Sequence, residues 1–250
     1  MSRDDDVMTN QILPKFSNTV CSYWEHAFAS GKRVYRDEAF SLTVDADLDP
    51  QRQAMLLCRA DGQSFATVTP ALAARLELGV AGIFSVQGFR QRLASAGVAL
   101  HGADYLFYYS DAGRETLHAG ADGAARRLTD HDAAAFEDFC VSASAQDLDD
   151  AYVGLDHWAA FGCFEHDHLV CVASAYPWGD APLADLGVLT LASHRGKGLA
   201  RQVVRAISRH AFAQGHEAQY RCQLDNAASV ALAAAAGLNP FGTWQVVSPD

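Results

Sequence analysis

Apolar positions in this chain switch repeatedly between a two-residue period and a roughly 3.6-residue period, so strands and helices are expected to alternate. Residues 1–15 are polar and read as a mobile leader. Asn18 to Ser30 places Tyr23, Trp24, Ala27 and Phe28 on one helical side, and Val34 to Val44 mixes aromatic and β-branched residues like a strand. Ala54–Arg59 and Ser64–Val68 flank Asp61-Gly62, a hairpin pattern. Thr69-Pro70 supplies an N-cap and a first-turn proline for a helix over Ala71–Leu78. Ser85–Ala96 predicts a second helix stopped by Gly97, and Tyr105–Tyr109 a strand. The small, turn-prone stretch Ala119-Gly120-Ala121-Asp122-Gly123-Ala124 reads as a linker.

Past this point the pattern changes. Ala125–Leu128 reads as a short strand, and Thr129-Asp130 caps a helix over Ala133–Val141, with Asp132 in its first turn. Asp147–Val153 suggests a further short helix. Trp158–Glu165 and Leu169–Tyr176 form an antiparallel hairpin pattern with His166-Asp167-His168 at its tip. Then come a strand over Ala184–Leu191, an amphipathic helix over Ala200–Phe212 ended at Gly215, and a strand over Glu217–Leu224. A helix over Asn226–Ala236 stopped by Gly237 and a last strand over Phe241–Val247 complete the chain.

Composition narrows the classes. The chain has 250 residues, half of them hydrophobic, enough core for one large domain or two small ones. A net charge of −11 argues against a nucleic-acid partner and suits a cationic substrate such as an amine. No apolar run is long enough to span a membrane, and the acidic start lacks an apolar signal core, so a cytoplasmic protein is expected. The cysteines Cys21, Cys58, Cys140, Cys163, Cys171 and Cys222 form no CxxC pair and are expected as buried free thiols. Among the histidines only His166-Asp167-His168 clusters, and no metal site is expected from it.

The chemically pointed stretch is Arg195-Gly196-Lys197-Gly198-Leu199-Ala200, between the strand Ala184–Leu191 and the helix that follows. A glycine-rich turn that opens a helix presents unpaired N–H groups and the positive end of the helix dipole, a site for an anion such as a diphosphate. Arg195 and Lys197 add positive charge. The stretch is not a Walker loop, which needs G-x-x-x-x-G-K-[ST]. It is not a dinucleotide fingerprint either, because Arg201 stands where a third glycine is required.

Arg195, Gly198 and Ala200 match the pattern [Q/R]-x-x-G-x-[G/A] in place. About thirty residues on, Asn226-x-x-Ser229-x-x-Leu232-Ala233-x-x-x-Gly237-Leu238 forms a second motif after the next strand. With this element order, residues 124–250 resemble the GNAT superfamily of N-acetyltransferases. The resemblance implies an α/β fold with a mixed sheet, an acyl-CoA-binding GNAT half over 124–250, and a smaller α+β domain over 1–120 that is a degenerate relative of it.

The resemblance also implies a ligand, acetyl-CoA, as acyl donor. Its pantetheine arm would pair with the backbone of Val188, Leu189, Thr190 and Leu191, and its diphosphate would lie on the amides of Gly196, Lys197, Gly198, Leu199 and Ala200, with Arg195 beside them. Asn226 and Ser229 would lie near it, and an amide near Leu189 would polarise the thioester carbonyl. The expected base is Asp185, with Glu165 (through a water) and Tyr176 as alternatives. The family's tyrosine that protonates the leaving thiolate is replaced by Ala233, leaving Ser229, Tyr220 or water for that step.

The activity implied is transfer of an acetyl group to an amine acceptor, a small molecule or a protein, by direct attack in a ternary complex. The alternatives are a non-catalytic acyl-CoA-binding regulatory module and a transferase directed at a basic protein. Expected partners are acetyl-CoA and an amine acceptor, without nucleic acid or membrane. A homodimer is also among them.

Overall fold

The computed structural model describes residues 13–78, 85–120 and 123–247. The leader as far as residue 12 and the centre of the expected linker, Ala121 and Asp122, lie outside the described residues. The strands within these ranges join one eleven-stranded mixed sheet in the order β1-β2-β4-β3-β11-β5-β10-β9-β8-β7-β6. The N-terminal part supplies β1 (Lys32–Arg36), β2 (Phe40–Val44), β3 (Ala54–Arg59), β4 (Ser64–Val68) and β5 (Asp104–Tyr108). The C-terminal part supplies β6 (Arg126–Arg127), β7 (Ala159–Glu165), β8 (His168–Pro177), β9 (Leu183–Thr190), β10 (Glu217–Gln223) and β11 (Asn239–Val246).

β5 leaves its sequence neighbours and inserts, antiparallel to both, between β10 and β11. β11 in turn pairs with β3, so strand pairing runs without a break across the sequence boundary near residue 120. Four apolar clusters fill the two faces. α7 (Leu199–Ala213) and α8 (Ala227–Ala236) pack with Leu186, Phe107 and Tyr220 on one side of the C-terminal strands. α5 (Ala133–Ser142) and α6 (Ala145–Ala151) pack with Leu189 and Val172 on the other. α1 (Asn18–Ala29) covers Leu57, Tyr108 and Leu183, while α2 (Pro70–Arg75) and α3 (Val86–Ser95) cover Leu42 and Leu56. α7 is long because Val203, Val204, Ile207, Ala211 and Phe212 recur at helical spacing and are all buried.

Several elements differ from expectation for local reasons. The single strand over Val34–Val44 is a hairpin of β1 and β2, broken where the Asp37 carboxylate accepts from the amides of Ala39 and Phe40 at 2.8 and 2.7 Å. α2 stops at Arg75 rather than Leu78. Glu77 turns left-handed (φ 51°), and the Glu77 and Leu78 amides reach back to the carbonyls of Ala74 and Ala73, a Schellman closure. α6 lies two residues earlier than read and ends at left-handed Tyr152. α4 (Asp111–Ala119), capped by Ser110, was not foreseen, since Leu117 is its single buried residue. The hairpin tip is as read: His166 and Asp167 both have positive φ, the two-residue turn that matches strand twist. The cysteines are free, but only Cys163, Cys171 and Cys222 are buried, and the other three are half-buried.

Candidate active site

The site starts where two parallel strands part. β9 and β10 pair from Leu183 opposite Glu217 as far as Leu186 opposite Tyr220. Beyond that point β9 pairs only with β8, through Gly187 to Thr190, and β10 only with β5, through Arg221 to Gln223. Past Leu186 the edge of β9 that faces β10 has no strand partner, so its backbone is open to an added strand-like ligand, with Thr190 O already accepting from Arg195. A cleft of about 780 Å³ occupies the gap and continues to the start of α7.

Val188, Leu189, Thr190, Arg195, Gly196, Lys197, Gly198, Leu199, Ala200, Asn226 and Ser229 all line this cleft. Leu191 does not. Its amide donates to Val170 O at 3.0 Å, and it lines a neighbouring hollow with Glu165. Gly196 and Gly198 have φ values of 80° and 77°, a left-handed turn that carries β9 into α7. The N-cap of α7 is Gly198, without a side-chain cap, whereas Ser17, Thr69, Ser85, Ser110, Ser144 and Asn226 cap α1, α2, α3, α4, α6 and α8. The first-turn amides of α7 thus remain open for an anion, and these residues fit the diphosphate of a CoA donor.

The cradle's charges are already engaged. Arg195 holds Asp147 of α6 at 2.9 Å and donates to Thr190 O at 3.2 Å, stapling the loop to the end of β9. Lys197 bonds Glu165 at 2.7 Å. That contact, led by the hydrogen bond from Lys197, holds the Glu165 carboxyl below its usual range. Glu165 lines the neighbouring hollow rather than the cleft. Asn226 lines the cleft and also caps α8, its carboxamide oxygen accepting from Ser229 N at 3.0 Å.

Asp185 is not presented to the cleft. It is buried on β9 and accepts from Tyr176 at 2.8 Å, from Gln219 at 2.9 Å, and from Arg221 through two nitrogens, the shortest contact 2.7 Å. Arg221 stacks on Trp178 and also reaches Asp104 at 3.2 Å. Gln219 accepts from the Tyr108 hydroxyl, which accepts from Trp24 at 2.8 Å, so the network runs from α1 across the sheet. Both Asp185 oxygens are thus engaged by neighbouring donors away from the cleft.

Tyr220, one of the groups open to protonating the leaving thiolate, lines the cleft together with Ser229. It sits at the last paired position before the strands part and is buried. Burial pushes its phenol up to about 12, against a small lowering by Ser229, so it keeps its proton. On the opposite side of β9 a ring cluster was not foreseen. Tyr152, His157 and Tyr176 have centroids 5.1 to 5.5 Å apart, and His157 Nδ1 lies 2.9 Å from the buried Ser174 hydroxyl. Ser174 pairs with Gly187, the first residue of β9 past the junction, and the Ala151 carbonyl presses where a Cβ on Gly187 would stand. His157 lies between helix and strand with no motif around it, so the sequence carries no signal for it.

Among the described residues no three His, Cys, Asp or Glu side chains are placed to hold a metal ion. No helix among them is long and apolar enough to cross a membrane.

Residues 126–238 match the acetyltransferase (GNAT) family. No curated protein matches the sequence. Among solved structures, a GNAT-family acetyltransferase from Colwellia psychrerythraea is similar over 85% of this chain and 79% of its own, at 16% identity and a TM-score of 0.51. A GNAT-family protein from Novosphingobium aromaticivorans is similar over 62% of this chain and 68% of its own, at 16% identity and a TM-score of 0.47. With the parted strands and uncapped helix start already described, residues 126–238 of this chain form an acetyltransferase domain of the GNAT family.

Proposed function

We propose that this protein is an acyl-CoA-dependent N-acyltransferase that moves an acetyl group to an amine acceptor in a ternary complex. The observation that carries this reading is the gap between β9 and β10, which opens at Leu186 and Tyr220 and leads directly to the uncapped start of α7. A bound acyl-CoA supplies the thioester; everything else is the work of this chain. The open edge of β9 from Gly187 to Thr190 holds an extended arm by backbone hydrogen bonds, and the amides of Gly198 to Ala200 hold the diphosphate. An amide near Leu189 donates to the carbonyl oxygen where negative charge develops.

Two proton movements remain. Tyr220, which keeps its phenolic proton and lines the cleft with Ser229, gives that proton to the leaving sulfur. His157, whose Nδ1 lies 2.9 Å from Ser174 on the other side of β9, takes the amine's proton, because Asp185 is filled by Arg221, Gln219 and Tyr176. The occupied state of Asp185 and the alanine at 233 are also what a non-catalytic acyl-CoA-binding module would show. Release of free thiol from acetyl-CoA across a broad panel of amines separates the two. Amine-dependent turnover supports the enzyme, and saturable binding without turnover supports the module.

A further inference from the structure

The lysine and arginine side chains that line the cleft are Arg195, Lys197 and Arg201, and their situations differ. Arg195 is held by Asp147 and Lys197 by Glu165. Arg201 has no ion-pair or hydrogen-bond partner among the described residues. It is exposed, on the first turn of α7, and its guanidinium lies 3.6 Å from where a Cβ on Gly198 would stand. Two of the three cations are therefore internally neutralised, and Asp150 adds a further negative charge to the lining.

A CoA donor carries a diphosphate and, on its ribose, a phosphate monoester. The uncapped amides of α7 suit the diphosphate, a group that needs many short N–H contacts and little net charge. The monoester is dianionic near neutral pH and calls for a side-chain cation, best a guanidinium that can donate two hydrogen bonds. Arg201 is the cation free to meet it. We infer that Arg201 binds the ribose phosphate monoester of the donor and makes the cleft select CoA over its 3′-dephospho form. This inference rests on the reading of the cleft as a CoA site.

The test is calorimetric titration of the full chain and its Arg201→Ala variant with CoA and with 3′-dephospho-CoA. Arg201 is exposed, so its removal leaves the core untouched, and matched melting temperatures check this. The wild-type chain is expected to bind CoA more tightly than dephospho-CoA by about ten- to a hundredfold, the range of a charge-assisted hydrogen-bonded pair. Arg201→Ala is expected to bind both ligands alike, at the wild-type affinity for dephospho-CoA. A preference for CoA that survives the substitution overturns the inference, as does an equal loss for both ligands, which would put Arg201 on the diphosphate. A wild-type chain that binds neither ligand overturns the donor reading itself, a distinct result.

Discussion

Replacing Asp185 with alanine separates a structural role from a catalytic one. In the folded chain the Asp185 side chain is 4% exposed and its partner Arg221 is 22% exposed. Removing the carboxylate strands a largely buried guanidinium, with Asp104 as its remaining acidic partner at 3.2 Å. It also leaves Gln219 and Tyr176 without their acceptor. Breaking a buried pair from one side costs about 3–5 kcal/mol, because the surviving charge stays desolvated. In urea that corresponds to a midpoint lowered by about 1–2 M for a chain of this size. Trp178 and Trp244 flank Arg221, so their fluorescence reports the transition where the damage lies. The double variant Asp185→Ala with Arg221→Met removes both charges and is expected to recover part of the loss, a coupling of about 1–3 kcal/mol. An Asp185→Ala chain with wild-type stability and no turnover refutes this reasoning and returns the carboxylate to the role of base.

Tyr220→Phe is expected to lower kcat by about 10²- to 10⁴-fold while CoA affinity changes little, measured by thiol release and calorimetry; an unchanged kcat removes Tyr220 from proton transfer. Tyr220 also predicts an alkaline limit. Its phenol is pushed from 10.0 to about 12 in the folded chain, so between those values the folded state binds more protons than the unfolded one. Stability therefore falls as pH rises through that window, by about 2–3 kcal/mol at its upper end, and urea melts of Tyr220→Phe should show a smaller decline. His157→Ala is expected to depress turnover and to be partly rescued by added imidazole; a rate equal to wild type excludes it as the acceptor of the amine's proton. A fragment of residues 124–250 lacks β5 and leaves facing edges on β10 and β11, so it should aggregate on expression. A soluble fragment with one cooperative melt and CoA binding contradicts that.

What the sequence reveals and what it hides follow from the range of the interactions involved. The cradle is local: Gly196 and Gly198 are needed for their positive φ, and the apolar spacing of α7 is read within one stretch. The hairpin of β7 and β8 is equally local, closed by His166 and Asp167. The place of β5 is not, because Asp104–Tyr108 pairs with strands more than a hundred residues away and no pattern in it names them. The status of Asp185 depends on Arg221 and Gln219 from a neighbouring strand, so a carboxylate that looks free in sequence is enclosed in the fold. Arg195 and Lys197 look like anion ligands until Asp147 and Glu165 are seen beside them. Tyr220 takes a position in the cleft from the strand floor, where the family pattern looks for a tyrosine on the following helix.

The central claim is that the gap between β9 and β10 and the start of α7 hold an acyl-CoA donor. Calorimetric titration of CoA into the wild-type chain and into Gly198→Val tests it most directly. Gly198 has φ 77°, so a β-branched side chain there is strained at the turn that opens α7. Saturable one-to-one binding by the wild type, lost in a Gly198→Val chain that still melts cooperatively, is the predicted result. Equal binding by both chains, or no saturable binding by the wild type, contradicts the account.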